Sequence, residues 1–554
     1  MLTPSIKFQK LEKILLVVIA IFGAFLYLYK LGNNPPGLYI DEAGTGYNAY
    51  SILKTGKDEY GKAFPIAMRL FGSYSPPLYI YLSVPIMALF GMSIFSTRLL
   101  SAICGVVLIF TIHLLLKSLK ITKSKYTPLV ATLFFAITPW LVFYSRTGYE
   151  MNIALLFFAT SALFAYKALQ NPRLLQVAIP LFSLSTYADY SQRVIAPILF
   201  VSFLYLFRKK IFTKKNKRFL VLGSLVAFLI QIPNLVVATT PSFYTKLDHF
   251  YISVVSAQSA KVSIFLPVFI SNLLAFAREF LSKYFAFFSP RSLFFLPNSD
   301  LQQGIPEMSV FYSWMIIPYL IGLHSLWKIR KTESAKFVFT MLLVTPLPGA
   351  LTKEPFHIQR TLTLLVPLTM VLAVGIDNLI HQKKLKQWLP VFVLTTIFSL
   401  VMFWRSYFVL LPQQRAYLWG GGFEELTDYI RNHPDETFLI DQSGRTRPKD
   451  VAYTQIAFHL PLPPEELQKD QLENIAKNYY YDTDFSFEHK FANVEFRNIE
   501  WGETKWRDII LVGDLVSISD LEVGLHSLTE VFEIRDPNNN ILFRGFKTNP
   551  TLLE

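Results

Sequence analysis

The sequence predicts a polytopic α-helical membrane protein that ends in a C-terminal extracytoplasmic α/β domain. Three observations predict it. Apolar residues make up 52% of the 554-residue chain and charged residues only 17%, too little charge for a water-soluble chain of this length. The apolar residues gather into about eleven runs. Clusters of Lys and Arg separate many of those runs, as in the short cytoplasmic loops of membrane proteins.

The first run, Lys13 to Tyr29, follows Lys7, Lys10 and Lys13. No small-residue cleavage site comes after it and more runs follow, so it reads as an uncleaved first span with its N-terminus in the cytoplasm. Further runs lie at 95–117, 127–144, 152–168, 174–188, 194–207, 219–237, 311–327, 337–351, 361–380 and 388–408. The stretch "PPLYIYLSVPIMALFG", Pro76 to Gly91, is set apart by Pro77, Pro85, Tyr79 and Tyr81, and reads as an interfacial or re-entrant helix.

With that helix excluded from crossing, alternation places every basic cluster inside. The clusters are Lys117, Lys120, Lys123 and Lys125; Arg208 to Arg218; Lys328 to Lys336; and Lys383, Lys384 and Lys386. The opposite loops, 145–151, 187–193 and 352–360, hold one or two basic residues each. Outside then lie a first large loop (31–94), a second (239–310) and residues 411–554. The expected division is a transmembrane part over 1–410 and a soluble extracytoplasmic part over 411–554, in a multi-pass protein of the plasma membrane. In the second loop, "FLPVFISNLLAFAREFLSKYFAFF" predicts a membrane-associated helix. In the C-terminal part, "TFLID" and "DIILVGD" predict buried strands, and "EVFEIRDPNNNILFRGF" a hairpin about an Asn-rich turn.

The net charge of +14 does not signal nucleic acid. From Pro412 onward 25 acids face 14 bases, so the positive excess belongs to the loops between apolar runs. Cys104 stands alone, which excludes an intramolecular disulfide and a Cys-based metal site. There is no phosphate-binding Gly-x-x-x-x-Gly-Lys-Ser/Thr loop and no His-Glu-x-x-His, and "GTGYNA" lacks the third glycine of a dinucleotide fingerprint.

Polar residues concentrate instead at one membrane face. "GLYIDEAGTGYNAYSILKTG" carries Asp41 and Glu42 just after the first span. "YSRTGYEMN" carries Arg146 and Glu150, "YADYSQR" carries Asp189 and Arg193, and "TKEPFHIQR" carries Glu354, His357 and Arg360. Each has a structural reading. Asp41 alone reads as the N-cap of a helix over 42–55 that stops at Gly56, a contribution of ~1 kcal/mol. Arg146 and Glu150 have the spacing of a helix-end pair. Arg193 and Arg360 suit interfacial anchors, His357 a surface histidine, and Asp482 and Asp484 solvated loop acids.

Together they point to chemistry on a lipid-borne substrate. A carboxylate accepts the proton of an attacking hydroxyl, and arginines hold a phosphate through paired hydrogen bonds as charge builds on it. Span interiors hold almost no charge, whereas an ion-coupled transporter more often buries acids or bases there.

The order of these pieces resembles a known family. "GYNAYSILKTGKDEYGKAFP" after the Asp-Glu pair, then "YSPPLYIYLSVPIMALFGMSIFSTRLLSAICG", "SRTGYEMNIALL", "SPRSLFFLPN" and "ALTKEPFHIQRTL", resemble glycosyltransferase family 39 within the GT-C superfamily. That group holds the dolichyl-phosphate-mannose–protein mannosyltransferases and the lipid A aminoarabinose transferases. The similarity spans residues 1–410. It implies transfer of a sugar from a polyprenyl phosphate to a hydroxyl acceptor (protein, lipid or glycan) on the extracytoplasmic side, with inversion. It implies Asp41 as the base and Glu150 as a second acid. We add Glu42 as a second catalytic residue, to orient Asp41 or bind the sugar, and Arg146, Glu150, Arg193, His357 and Arg360 as substrate-binding. Where aminoarabinose transferases carry Glu-Lys-Pro this chain has Ser75-Pro76-Pro77, so the resemblance supplies no metal-binding acid there. The sequence requires no cofactor and is compatible with a divalent cation. Two other readings stay open: a transporter or flippase of a lipid-linked glycan, and a polymerase or ligase using a lipid pyrophosphate donor.

Overall fold

Six long helices carry the hydrophobic mass of the chain. The computed structural model describes residues 4–245, 258–261, 263, 266–381, 385–443, 451–470, 473–486 and 488–552; Lys383 and Lys384 of the last basic cluster lie outside them. By length and composition, Phe8–Leu28, Ile94–Leu119, Met151–Ala168, Lys214–Val237, Leu362–Ile380 and Leu389–Leu418 are able to cross a membrane. The first lies in α1 (Pro4–Leu28), the second is α4 and the third α7. A bent pair, α5 (Thr127–Ile137) and α6 (Pro139–Ser145), meets at 56° and counts as a seventh if taken as one span.

Among the described residues, six or seven of the expected eleven spans are long enough by this measure. The other apolar runs fold as shorter helices: α8 (Leu175–Ser185), α9 (Tyr190–Leu206), Ile316–Lys328 and Glu333–Val344. Helices of 11 to 13 residues reach only ~17–20 Å, against a hydrocarbon core of ~30 Å. An apolar run overstates the helix within it when proline interrupts. Pro139 restarts the chain after Thr138, and Pro180 sits inside α8.

One continuous core joins these helices. The Tyr27 hydroxyl of α1 donates to the Ala136 carbonyl at 2.7 Å, which satisfies the only polar group of a fully buried ring. The helices Ile316–Lys328 and Leu365–Ile380 cross at glycines. A Cβ at Gly375 would lie 1.8 Å from the Pro318 carbonyl oxygen, and one at Gly322 would lie 2.0 Å from that of Val371. Small residues let such backbones meet. Gly375→Val is therefore expected to cost at least ~1–3 kcal/mol through overpacking, read as a lower melting temperature in detergent; an unchanged melting curve would contradict the crossing.

The first large loop is a built structure. It holds α2 (Ile40–Thr55), the hairpin β1 (Met68–Leu70) with β2 (Ser73–Ser75), and α3 (Leu78–Phe90) packed on α2. At 13 residues α3 is too short to cross. Gly56 ends α2 in the left-handed region at φ 69°, as expected. The helix start differs from expectation. Tyr39 is the N-cap and Asp41 lies inside the first turn, while Glu42 reaches back to accept the Tyr39 N–H at 3.1 Å.

The C-terminal part builds a six-stranded sheet. In chain order the strands are β3 (Phe438–Ile440), β4 (His489–Phe491), β5 (Val494–Phe496), β6 (Ile510–Gly513), β7 (Thr529–Arg535) and β8 (Ile541–Lys547). Their spatial order is β4-β5-β3-β6-β8-β7, with β3 parallel to both β5 and β6 and the remaining pairs antiparallel. The buried β3 and β6 lie inside "TFLID" and "DIILVGD", and β7 and β8 flank the Asn-rich turn. One face of the sheet shares a core with Ala43 and Tyr47 of α2 and with Leu38, two residues before it. Helix Ala452–His459 packs along α2. The C-terminal part thus sits on the segment that carries Asp41.

Candidate active site

Two adjacent acids in α2 meet opposite fates. Glu42 is fully buried, and both of its oxygens are taken by Arg98 of α4, from Nε at 2.9 Å and from Nη2 at 2.8 Å. The Tyr39 and Gly148 N–H groups add two further donors. Arg98 also donates to the carbonyls of Leu31, Pro35 and Gly37, so one guanidinium staples the 31–37 segment to α2. This is a saturated ion pair inside the fold. It spends the carboxylate of Glu42 on holding α2, and leaves Asp41, half-buried on the preceding residue, as the accessible acid of the pair.

Arg98 escaped the sequence reading. Its signal was present: an arginine one turn inside an apolar span is exceptional and needs a buried partner.

Arg146 also turns inward. Its Nη1 donates to the carbonyls of Leu26 and Tyr27, and its Nη2 to those of Lys30 and Asn34. The first two belong to the last turn of α1, where carbonyls lack intrahelical partners and attract a cation. The guanidinium lies 5.1 Å from the Tyr407 ring centroid and 4.9 Å from that of Phe408. Fully buried and committed to main chain, Arg146 holds the end of α1 and is unsuited to a carrier phosphate.

The remaining polar residues converge. Asp189 caps α9, accepting the Ser191 N–H at 2.7 Å on one oxygen, and takes the Arg360 guanidinium at 2.9 Å on the other. Burial works against the charge of Arg360, but Asp189, Glu150, Tyr190 and Asp41 outweigh it and hold the guanidinium above its usual value. Those groups come from α2, the turn before α7, the start of α9 and the loop before Leu362. Asp189 is thus paired directly with Arg360, and the charges of Glu150 and Asp41 act on the same guanidinium through space. His357, on that loop, is pulled down to about 3 by burial and by Arg360, so its imidazole is neutral at physiological pH. Its Nδ1 lies 3.9 Å from Glu354.

Aromatic rings wall this cluster. Tyr39, Tyr149 and Trp419 meet with centroids 6.1 to 6.4 Å apart. Gln302 from the second large loop donates to the Tyr149 hydroxyl at 2.6 Å, bringing that loop to the same place.

Arg193 shares the neighbours Tyr190 and Asp189 with Arg360. Its guanidinium lies 4.5 Å from the Tyr190 ring centroid and 4.7 Å from that of Phe243, and its Nε has no hydrogen-bond partner. It borders a cavity of about 380 Å³ between α8, α9 and helix Lys214–Val237. The walls are mainly apolar, as at Phe182, Phe200 and Leu235, with Gln231 and Asn234 as polar exceptions. An apolar slot with a cation at one side suits an amphiphile with an anionic head. Among the described residues, no three His, Cys, Asp or Glu side chains come close enough to hold a metal ion.

Comparison with known proteins meets the resemblance seen in the sequence. Residues 74–237 match the family model described as dolichyl-phosphate-mannose-protein mannosyltransferase. That stretch includes Arg98, Glu150, Asp189 and Arg193 and stops short of Asp41. No curated protein matches the sequence. The fold is similar to that of ArnT from Cupriavidus metallidurans bound to undecaprenyl phosphate, with a TM-score of 0.54 and 12% identity over 96% of this chain and 97% of that one. The apo state of the same protein gives 0.53 at 12% identity, over 97% and 98%. The Archaeoglobus fulgidus oligosaccharyltransferase in the apo form gives 0.48 at 12% identity, over 97% of this chain and 74% of that one. At such identity the likeness is one of fold.

Proposed function

We propose that this chain is a membrane glycosyltransferase that moves a sugar from a polyprenyl-phosphate donor to a hydroxyl acceptor on the extracytoplasmic side. The observation that carries the reading is the Asp189–Arg360 ion pair at 2.9 Å, on whose guanidinium the charges of Asp41 and Glu150 also act, on a fold similar to that of ArnT. The orientation is supported by α4. Arg98 near its start is at the site, and Lys117 and Lys120 mark the other end, roughly 28–33 Å away along the helix. Basic residues favour the cytoplasmic side.

In this reading the isoprenyl chain enters the cavity beside Arg193, and Arg193 and Arg360 face the donor phosphate. Asp41 removes the proton of the acceptor hydroxyl. The freed oxygen attacks the anomeric carbon from the face opposite the phosphate, the new C–O bond forms, and the old bond breaks with its electrons on the phosphate oxygen. Inversion follows from that geometry. Polyprenyl phosphate leaves with its charge held by the arginines, and neutral His357 with Glu150 orients the sugar or acceptor.

The test is to incubate purified protein with radiolabelled polyprenyl-phosphate sugars and candidate acceptors, with and without chelator. Release of free polyprenyl phosphate is the expected result. Translocation of intact donor without cleavage would reject transfer in favour of transport. Arg360→Ala removes a phosphate partner and leaves Asp189 unpaired. It is expected to lower kcat/KM by ~10²-fold or more; wild-type kinetics would remove Arg360 from the site.

A further inference from the structure

A second pair of adjacent acids, Asp58 and Glu59, lies fully buried where the first large loop meets the C-terminal part. The transfer reaction makes no use of it. Asp58 is well supplied with donors: the Tyr60 N–H at 3.1 Å, the Lys62 N–H at 2.8 Å, and the Tyr479 hydroxyl. Glu59 has fewer. The Asn48 amide of α2 donates at 2.9 Å, and the Tyr453 hydroxyl lies at 3.3 Å. The groups facing the pair are Asp58 itself, Tyr47 of α2, Tyr60, Arg69 of β1, Tyr453 with His489 stacked on it at 4.0 Å, and Tyr479. Two cations are near: Lys62, whose ammonium lies over the Tyr479 and Tyr480 rings at 5.9 and 5.7 Å, and Arg69, which acts on both acids. Arg69 is already committed to the Asp482 and Asp484 carbonyls and the Asp482 carboxylate. Two neighbouring carboxylates in a dry site cannot both ionise cheaply.

The same place is a fastening. Gln468 donates to the Asp58 carbonyl at 2.9 Å, Gln455 to that of Leu38 at 2.7 Å, and the Ile66 N–H donates to the Tyr480 hydroxyl at 2.8 Å. All three glutamine and tyrosine side chains belong to the C-terminal part. Asp482, expected to be solvated, is here an anchor for Arg69.

We infer that Asp58 and Glu59 form a proton-dependent latch: with one carboxyl protonated they fasten the C-terminal part onto α2 and β1, and loss of that proton loosens it. Burial, together with the Asp58 charge, pushes Glu59 up to about 8, and burial pushes Asp58 up to about 6. A raised carboxyl holds its proton in the docked state and releases it when solvated. Docking is therefore strongest at low pH and weakens as pH rises toward about 8.

The test does not depend on the proposed reaction, because it reads amide exchange rather than catalysis. In full-length protein, exchange at Tyr479 to Asp484, corrected for its intrinsic pH dependence, is expected to rise by up to roughly tenfold per pH unit between about pH 6 and 8. Glu59→Gln, which stays neutral, is expected to flatten that rise. Asp58→Asn, which removes the neighbouring charge, is expected to move it to lower pH. A wild-type profile that is flat, or one shared by both variants, would overturn the latch.

Discussion

Asp41→Asn is expected to insert and fold normally and to transfer sugar ~10²–10⁴-fold more slowly, the usual contribution of a positioned general base. The amide keeps the shape of the side chain and loses the basic oxygen. Folding is expected to survive because Asp41 is half-buried and is not the cap of α2, so its replacement empties no buried bond of the Arg98 network. The neighbouring acid cannot substitute. Both Glu42 oxygens are taken up by Arg98 and main-chain donors inside the fold, so neither is presented to an acceptor hydroxyl. The measurement is kcat with saturating labelled donor, alongside size-exclusion and melting profiles. Normal turnover in a folded variant would reject Asp41 as the base.

The second large effect concerns stability. Arg98→Met leaves the Glu42 carboxylate buried without its partner, and frees the Leu31, Pro35 and Gly37 carbonyls. Breaking one side of a buried ion pair costs ~3–5 kcal/mol, so a sharp fall in melting temperature and loss of activity are expected. Adding Glu42→Gln removes the stranded charge. The double variant should regain part of the stability, because an unpaired carbonyl costs less than an unpaired charge. It should regain little activity, because the 31–37 segment stays unstapled. Additive losses in the double variant would show that the two residues act independently.

What was legible follows from how far each signal reaches along the chain. The first run folds as α1, and the strands β3, β6, β7 and β8 lie where apolar runs and the Asn-rich turn placed them. Strands β4 and β5 were missed. Each has three residues with a charge at its centre, Lys490 and Glu495, whereas the equally short β3 is an unbroken apolar run. Among the described residues six or seven helices are of spanning length, because hydropathy counts apolar residues whether or not one helix runs through them; at Pro139 the run 127–144 breaks into α5 and α6. In the site, the sequence reading pointed to the loops that hold Asp41, Glu150, Asp189 and Arg360, and these converge. It assigned Arg146 to substrate, whereas that side chain closes the end of α1. Nothing in "GKDEYGK" separates the buried Asp58 and Glu59 from ordinary solvated loop acids.

By itself the sequence determined that the chain is a set of apolar helices with its polar residues held in the connections between them. Hydropathy is a sum over neighbouring residues, so it survives without knowledge of contacts. Tertiary structure alone decided what surrounds each acid of the two pairs. Glu42 is silenced by Arg98, 56 residues on, and by Gly148, 106 residues on, and the proton affinity of Glu59 depends on Asp58 beside it and on Tyr453, 394 residues away. Charge and desolvation act through space, and the distances that set them exist only once the helices and the C-terminal sheet have met.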